Sequence, residues 1–407
     1  MIRRLTSLFT ATLLTSAALA GPVPVMEGAA AGEPGQGTCK IFDDPQFNGW
    51  SSHAEVGRRL AGIEQSSQGR VQVDVVGRTV LGREIYTARV GTGSRVLLVQ
   101  SAIHGNERTG TEALLGLLQH LGIAGDPATQ LALQRLTIVA MPMVNPDGGE
   151  INRRANVISW DQVVAQYPQL AGAPRAWYHS LRSDGIDLPG FDLNRDFNAD
   201  LDYVPAASDL PGRQVDAGFY LSPESRAIRD VYIGLQSEFG AVDAFVDLHH
   251  MGPCDRLTGG PQDGRLISVS LDYPPLGVND GAAYLAAWPR LDQDKSRRYA
   301  LAVAEGIRAA YGGQSPLAGV GRYFHPDARE FAGQARCAFG LLGTATVLFE
   351  VRGQSDDLGP KLKGMLVQSV RTGVESLIDA MATGRVDTLD GDSFFDLPDY
   401  GWDTDND

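Results

Sequence analysis

Residues 96–107 read VLLVQSAIHGNE, a short apolar run, Val96–Val99, that breaks into polar residues ending in His104 and Glu107. Three more runs repeat the pattern. Thr137–Met141 (TIVAM) is followed by PMVNPDGG, Ala244–Leu248 (AFVDL) by HHMG, and Thr346–Phe349 (TVLF) by EVRG. Short β-rich runs bounded by turn signals, with helical patterns between them, predict buried strands. The expected fold is therefore α/β, a mixed, mostly parallel twisted sheet flanked by helices in a single domain. Polar and metal-capable groups cluster just past the strand ends, where open α/β sheets place their active sites.

Working outward, Val56, Leu60 and Ile63 have helical spacing, and VQVDVV and EIYTARV after them alternate as two strands. Near the other end, Leu362, Leu366, Val370, Val374 and Ile378 recur every four residues, the apolar stripe of a closing helix. Arg3 and Arg4 precede an apolar run from Leu5 to Ala20 that ends in Ala18-Leu19-Ala20 before Gly21. A basic start, a short apolar segment and an A-x-A end predict a secretory signal peptide over 1–20 and an exported protein. That run is short for a membrane span, so no stable membrane insertion is expected after cleavage. Residues 21–44 are small and Pro/Gly-rich and read as a flexible leader. The domain is expected over 45–385. Eight Asp and no Lys or Arg follow Arg385, so 386–407 reads as a solvated acidic tail.

Composition bounds the function. With 407 residues, 43% hydrophobic and 21% charged, the chain can build a large core and is neither fibrous nor disordered. The charge, 35 − 49 = −14, argues against holding a phosphate backbone, so nucleic acid is not an expected partner. Three cysteines, Cys39, Cys254 and Cys337, leave room for one disulfide, with Cys254–Cys337 the expected pair because both lie near the polar motifs. No C-x-x-C is present, so a cysteine zinc site is not expected.

His104 and Glu107 form H-x-x-E, and imidazole with carboxylate suits Zn²⁺. With seven His and fourteen Glu, chance alone supplies roughly 0.2 such pairs, so the motif needs support from elsewhere in the chain. His249, directly after AFVDL, is the expected third ligand, and strand alternation turns His250 to the opposite side. His53, His120, His179 and His325 fit structural or solvated positions better. Two His and one Glu leave a fourth position open to water. Glu350 ends a nearly all-apolar strand, where a carboxylate is costly unless it pairs or functions. It reads either as a salt-bridge partner of Arg352 or as a general base. Arg154 and Arg195, from NRRAN and DLNRD, supply guanidinium for a carboxylate or a developing oxyanion.

The order HGNE, NPDG (145–148), R-x-N (Arg154, Asn156), DLNRDF (192–197), a strand ending in His249, and FEVR (349–352) resembles the zinc carboxypeptidases of the carboxypeptidase A type. GRTVLGREIYTARVG (77–91) also resembles that family's N-terminal strand pair, and the resemblance spans about 45–385. It implies one Zn²⁺ per chain on His104, Glu107 and His249, with Asp192 orienting His104. It further implies Asn194 and Arg195 on the substrate's C-terminal carboxylate, Arg154 on the oxyanion and Glu350 as general base. The expected substrate is a peptide with a free C-terminus. Three departures stand out. Arg154 to Asn194 is unusually long, and the insert at 157–190, with Trp160, Trp177 and Tyr178, is expected to form a loop over the cleft. His250-Met251 replace Ser-Tyr of digestive members, and 255–345 carries no recognisable anchor, Tyr323 being the nearest match to the family's mobile tyrosine. Two competing readings are a zinc-dependent amide deacylase of the aspartoacylase or succinylglutamate desuccinylase type, or a cell-wall peptide amidase. Another is an inactive peptide-binding relative, but that predicts a missing ligand or base, and none is missing.

Overall fold

The four apolar runs become the centre of one sheet. In the computed structural model, which describes residues 49–180, 189–253, 255–277, 281–313, 315–323, 330–353 and 359–401, they are β3 (Arg95–Ser101), β4 (Leu136–Met141), β5 (Ala244–Met251) and β9 (Ala345–Arg352). Together with β1 (Gln72–Arg78), β2 (Glu84–Val90), β6 (Arg256–Thr258), β7 (Val269–Asp272), β8 (Val320–Arg322) and β10 (Asp399–Gly401), they lie in the order β1-β2-β4-β3-β5-β9-β7-β8-β10-β6. β4, β3, β5 and β9 run parallel, while β1, β2 and β7 join antiparallel. The expected mixed, largely parallel sheet is what forms.

Side-chain alternation sends each strand's residues to two cores. Leu97, Val99, Val246, Leu248, Val347 and Phe349 meet the helices His53–Ser66, Thr109–Ile123, Gln293–Tyr311 and Gly359–Thr383. On the other face, Val96, Leu98 and Phe245 pack with the helix Pro223–Phe239 and with aromatic residues of the 158–221 region. The predicted stripe of the closing helix is real, since Leu366, Val370, Val374 and Ile378 are all buried. The short strands β6, β7, β8 and β10 were not legible, because three or four residues carry too little periodicity to stand out.

Two readings need correction. The stretch Arg385–Gly401 is not a solvated tail. Val386, Phe394 and Leu397 are buried, β10 pairs with β8 and β6, and arginines meet the acids, with Arg95 Nη1 3.1 Å from Asp387 and Arg322 Nη2 2.5 Å from Asp399. Apolar residues interleaved among the Asp, and cations supplied by distant segments, outweigh the local charge run. The insert also behaves differently from expectation. Its described part forms a helix, Trp160–Gln166, and buries Trp160, Val163, Leu170 and Tyr178 in the second core. None of its described residues lines the cleft.

The chain divides into Met1–Lys40, which lies outside the described residues, and one compact unit, Ile41–Asp407. The signal peptide, the leader, Cys39, Cys254, His325 and 402–407 likewise lie outside the described residues. Among the described residues, no helix is long and apolar enough to cross a membrane.

Candidate metal centre and substrate cleft

Past the end of β3 the chain turns sharply. Ala102 takes a left-handed φ of 54°, and the HGNE loop then lies directly on the NPDG turn. Gly105 is required there, since a Cβ would sit 2.3 Å from the Gly148 carbonyl carbon and the Gly149 nitrogen. Asn145 caps the short helix Pro146–Glu150 by accepting from Gly148 N–H at 2.9 Å, and its Nδ2 donates to the Ile103 and Arg154 carbonyls at 3.2 Å. NPDG is therefore the clamp that fixes the metal-binding loop. The helix that follows, Thr109–Ile123, has no side-chain cap of its own, but Thr109 N–H donates to His250 Nε2 at 3.1 Å. His250 thus faces away from His249, as alternation predicts, and ties β5 to the helix behind Glu107. Burial pushes its imidazolium pKa down to about 4, so it stays a neutral acceptor.

His104, Glu107 and His249 converge, all buried. His104 Nδ1 lies 2.8 Å from Glu107 Oε1, His249 Nδ1 lies 2.9 Å from Glu107 Oε2, and the two Nδ1 atoms are 3.1 Å apart. Each far nitrogen meets a carboxylate, His104 Nε2 at 3.1 Å from Asp192 and His249 Nε2 at 3.0 Å from Asp247. Those acceptors put the ring proton on Nε2 and aim the Nδ1 lone pair at the common point. Burial raises the Glu107 pKa, but the facing His104 and His249 rings outweigh it and hold the carboxyl well below its usual range. Two imidazole nitrogens and a carboxylate gathered this tightly form a donor set that suits zinc.

Asp192 does two jobs. Besides His104, it accepts from Arg154 Nε at 3.2 Å and Nη2 at 3.1 Å. Arg154 Nη1 in turn reaches to 3.0 Å from His104 Nδ1 and 3.3 Å from Glu107 Oε1, at the edge of the ligand cluster. Its neighbour Arg153 is spent structurally, donating to the Pro189 carbonyl at 2.9 Å. Asp247 was missed from the sequence, although a carboxylate two residues before His249 on an apolar strand shares its face and is the signal to look for. Gln100 Nε2 holds its other oxygen at 2.8 Å. Asp247→Asn is expected to weaken zinc binding about 10–100-fold, as measured by competition against a chelator. Unchanged affinity would remove Asp247 from the support of His249.

A cleft of about 210 Å³ opens on this cluster, lined also by Arg195, Met251, Tyr323, Phe331, Arg336, Leu348 and Glu350. The parallel register pairs His249 with Glu350, so both side chains leave the sheet on one side. Among the described residues Glu350 Oε2 is buried without a hydrogen-bond partner, and burial pushes its pKa up to about 7. The alternative salt bridge with Arg352 is not made, because Arg352 Nε donates to the Pro253 carbonyl at 2.6 Å. Arg195 donates from Nη1 to the Asn194 carbonyl at 2.7 Å, with its guanidinium 5.3 Å from the Phe331 ring centre. Asn194, expected on the substrate, sits between the ligand-supporting residues and the Ala335–Leu341 helix and also lines the cleft. Nδ2 lies 3.2 Å from His249 Nε2 and 3.5 Å from Asp247, and Oδ1 accepts from Ala335 N–H at 3.0 Å. Asn194 and Arg195 both line the cleft.

Residues 58–253 match the family model described as zinc carboxypeptidase. The match takes in His104, Glu107, Arg154, Asp192, Arg195 and His249 and stops before Glu350, whose place rests on strand register. Among solved structures, the carboxypeptidase A of Helicoverpa armigera is 17% identical with a TM-score of 0.53, covering 82% of this chain and 74% of its own. Thrombin activatable fibrinolysis inhibitor is 13% identical with a TM-score of 0.55, covering 84% and 75%. The bovine form of that protein, solved in complex with tick carboxypeptidase inhibitor, is 13% identical with a TM-score of 0.50, covering 84% and 98%. At such identities these likenesses speak for the fold, and the family is carried by the sequence match and the ligand set together. Over residues 58–253 the chain matches the zinc carboxypeptidase family, and that stretch holds all three residues of the metal cluster, His104, Glu107 and His249.

Proposed function

We propose that this protein is an exported carboxypeptidase that removes the C-terminal residue of a peptide, with Glu350 as general base. The observation that carries the reading is Glu350 itself, a buried carboxylate with an orphaned oxygen, in register with a metal ligand and facing the same cleft as Arg195. Zinc on His104, Glu107 and His249 would supply a Lewis acid that polarises the scissile carbonyl and acidifies water. Glu350 takes a proton from the water as its oxygen bonds to the carbonyl carbon. Arg154, held by Asp192, donates to the oxygen on which negative charge develops. Glu350 then passes the proton to the departing amine nitrogen as the C–N bond breaks. Arg195 fixes the substrate's α-carboxylate so that only the last peptide bond reaches the base. Export is supported by Arg3, Arg4 and the Leu5–Ala20 run ending in Ala-Leu-Ala.

The test is a pair of peptides identical but for a free or an amidated C-terminus. The free acid should be cleaved and the amide should not, and Arg195→Ala should raise KM for the free acid by about 10–100-fold, the worth of a charge-assisted pair. Equal cleavage of both peptides by the wild-type protein would sink the exopeptidase reading.

A further inference from the structure

We propose that the cleft selects a side-chain carboxylate on the substrate's C-terminal residue, and that Arg336 reads it. The proposal rests on the carboxypeptidase reading above and adds a substrate class to it. Arg336, on the short helix Ala335–Leu341, is only 2% exposed, yet it lines the cleft with Arg195 and Glu350. A guanidinium taken out of water is costly unless its charge and its N–H groups are met. Two of its three nitrogens are met, Nη1 by Asp272 Oδ2 at 3.2 Å and Nε by Gln334 Oε1 at 2.8 Å. For Nη2, no acceptor is found among the described residues. One end of the fork is thus anchored, and the other end is left for a ligand.

The charges around the cleft point the same way. Its lining carries three guanidinium groups, Arg154, Arg195 and Arg336, against two carboxylates, Glu107 and Glu350. Arg154 is tied to Asp192, and Glu107 belongs to the metal cluster. Arg195 answers the α-carboxylate, which leaves Arg336 as the cation without a substrate group. The two arginines also keep a fixed relation, because Asn194 beside Arg195 accepts from Ala335 N–H beside Arg336 at 3.0 Å. A second carboxylate on the terminal residue would complete Arg336, as a planar fork favours. A basic side chain would meet like charge, and an apolar one would close over an unmet donor.

Two peptides differing only in C-terminal Glu or Gln isolate the charge, since the side chains are nearly isosteric. We expect wild-type kcat/KM to favour Glu by at least about tenfold, the difference between a charged and a neutral acceptor. Arg336→Gln should bring the Glu/Gln ratio near one. If that protein fails to fold because Asp272 is stranded, Arg336→Met with Asp272→Asn removes both charges and makes the same comparison. Calorimetry with free L-glutamate and L-glutamine reads recognition without catalysis. Gln cleaved or bound as well as Glu by the wild-type protein, or a ratio unmoved by the variants, would overturn the proposal. Glutamate bound more tightly than glutamine while neither peptide is cut would uphold the pocket and defeat the hydrolytic reading instead.

Discussion

Glu350→Gln should lower kcat by about 10²–10⁴ or more, leaving bound zinc and fold in place. The amide keeps size and shape but cannot accept the proton of the attacking water. Stability should not fall, because the substitution removes a buried carboxylate that has no ion-pair partner in Arg352 and no hydrogen bond at Oε2. Its raised pKa, up to about 7 from 4.5, means that the folded state holds the proton more tightly than the unfolded chain. The carboxylate therefore takes stability away as pH rises from 4.5 through 7, and the variant should lose that slope. In the wild-type enzyme the base must be ionised, so kcat/KM should fall as pH drops. A nearby divalent cation favours the ionised form and sets the midpoint of that fall at or below about 7. Melting temperature, zinc content and kcat on one preparation settle the assignment. A variant that keeps more than about a tenth of wild-type kcat falls well short of a base's contribution and would disprove it.

The second large effect concerns the metal. His249→Ala removes one of three converging ligands, and zinc content should drop from one per chain to a small fraction, with hydrolysis lost alongside. The same change strands Asp247, whose buried carboxylate accepts from His249 Nε2 at 3.0 Å, and an uncompensated buried charge costs about 3–5 kcal/mol. A companion Asp247→Asn/His249→Ala protein removes that charge and separates metal loss from unfolding. Full zinc content in a folded protein lacking His249 would exclude it as a ligand.

The central strands were legible because apolar runs such as VLLV and TVLF carry their own signal, and so were their polar ends. The metal ligands were legible for a related reason, since His104, Glu107 and His249 sit within a few residues of those ends. What could not be read depends on distant segments. Asp247 lies inside the AFVDL run, and its role shows only in the contact of its Oδ2 with His249 Nε2 at 3.0 Å. Asn194 was read by resemblance as a substrate contact, and its contacts with Asp247 and Ala335, from β5 and the Ala335–Leu341 helix, come only with the fold. Arg336 lies in a stretch without motifs, and only tertiary packing brings it to the cleft. The C-terminal segment misled by composition, because eight Asp in a short stretch masked the spacing of Val386, Phe394 and Leu397.

The most direct test of the central claim is to strip the purified protein with chelator and titrate zinc back while following release of one C-terminal residue from a free-acid peptide by mass spectrometry. The account predicts that stripped protein is inactive and that activity rises in proportion to added zinc, reaching its plateau at one equivalent per chain. Full activity in the metal-stripped protein, or a plateau unrelated to one equivalent, would contradict it.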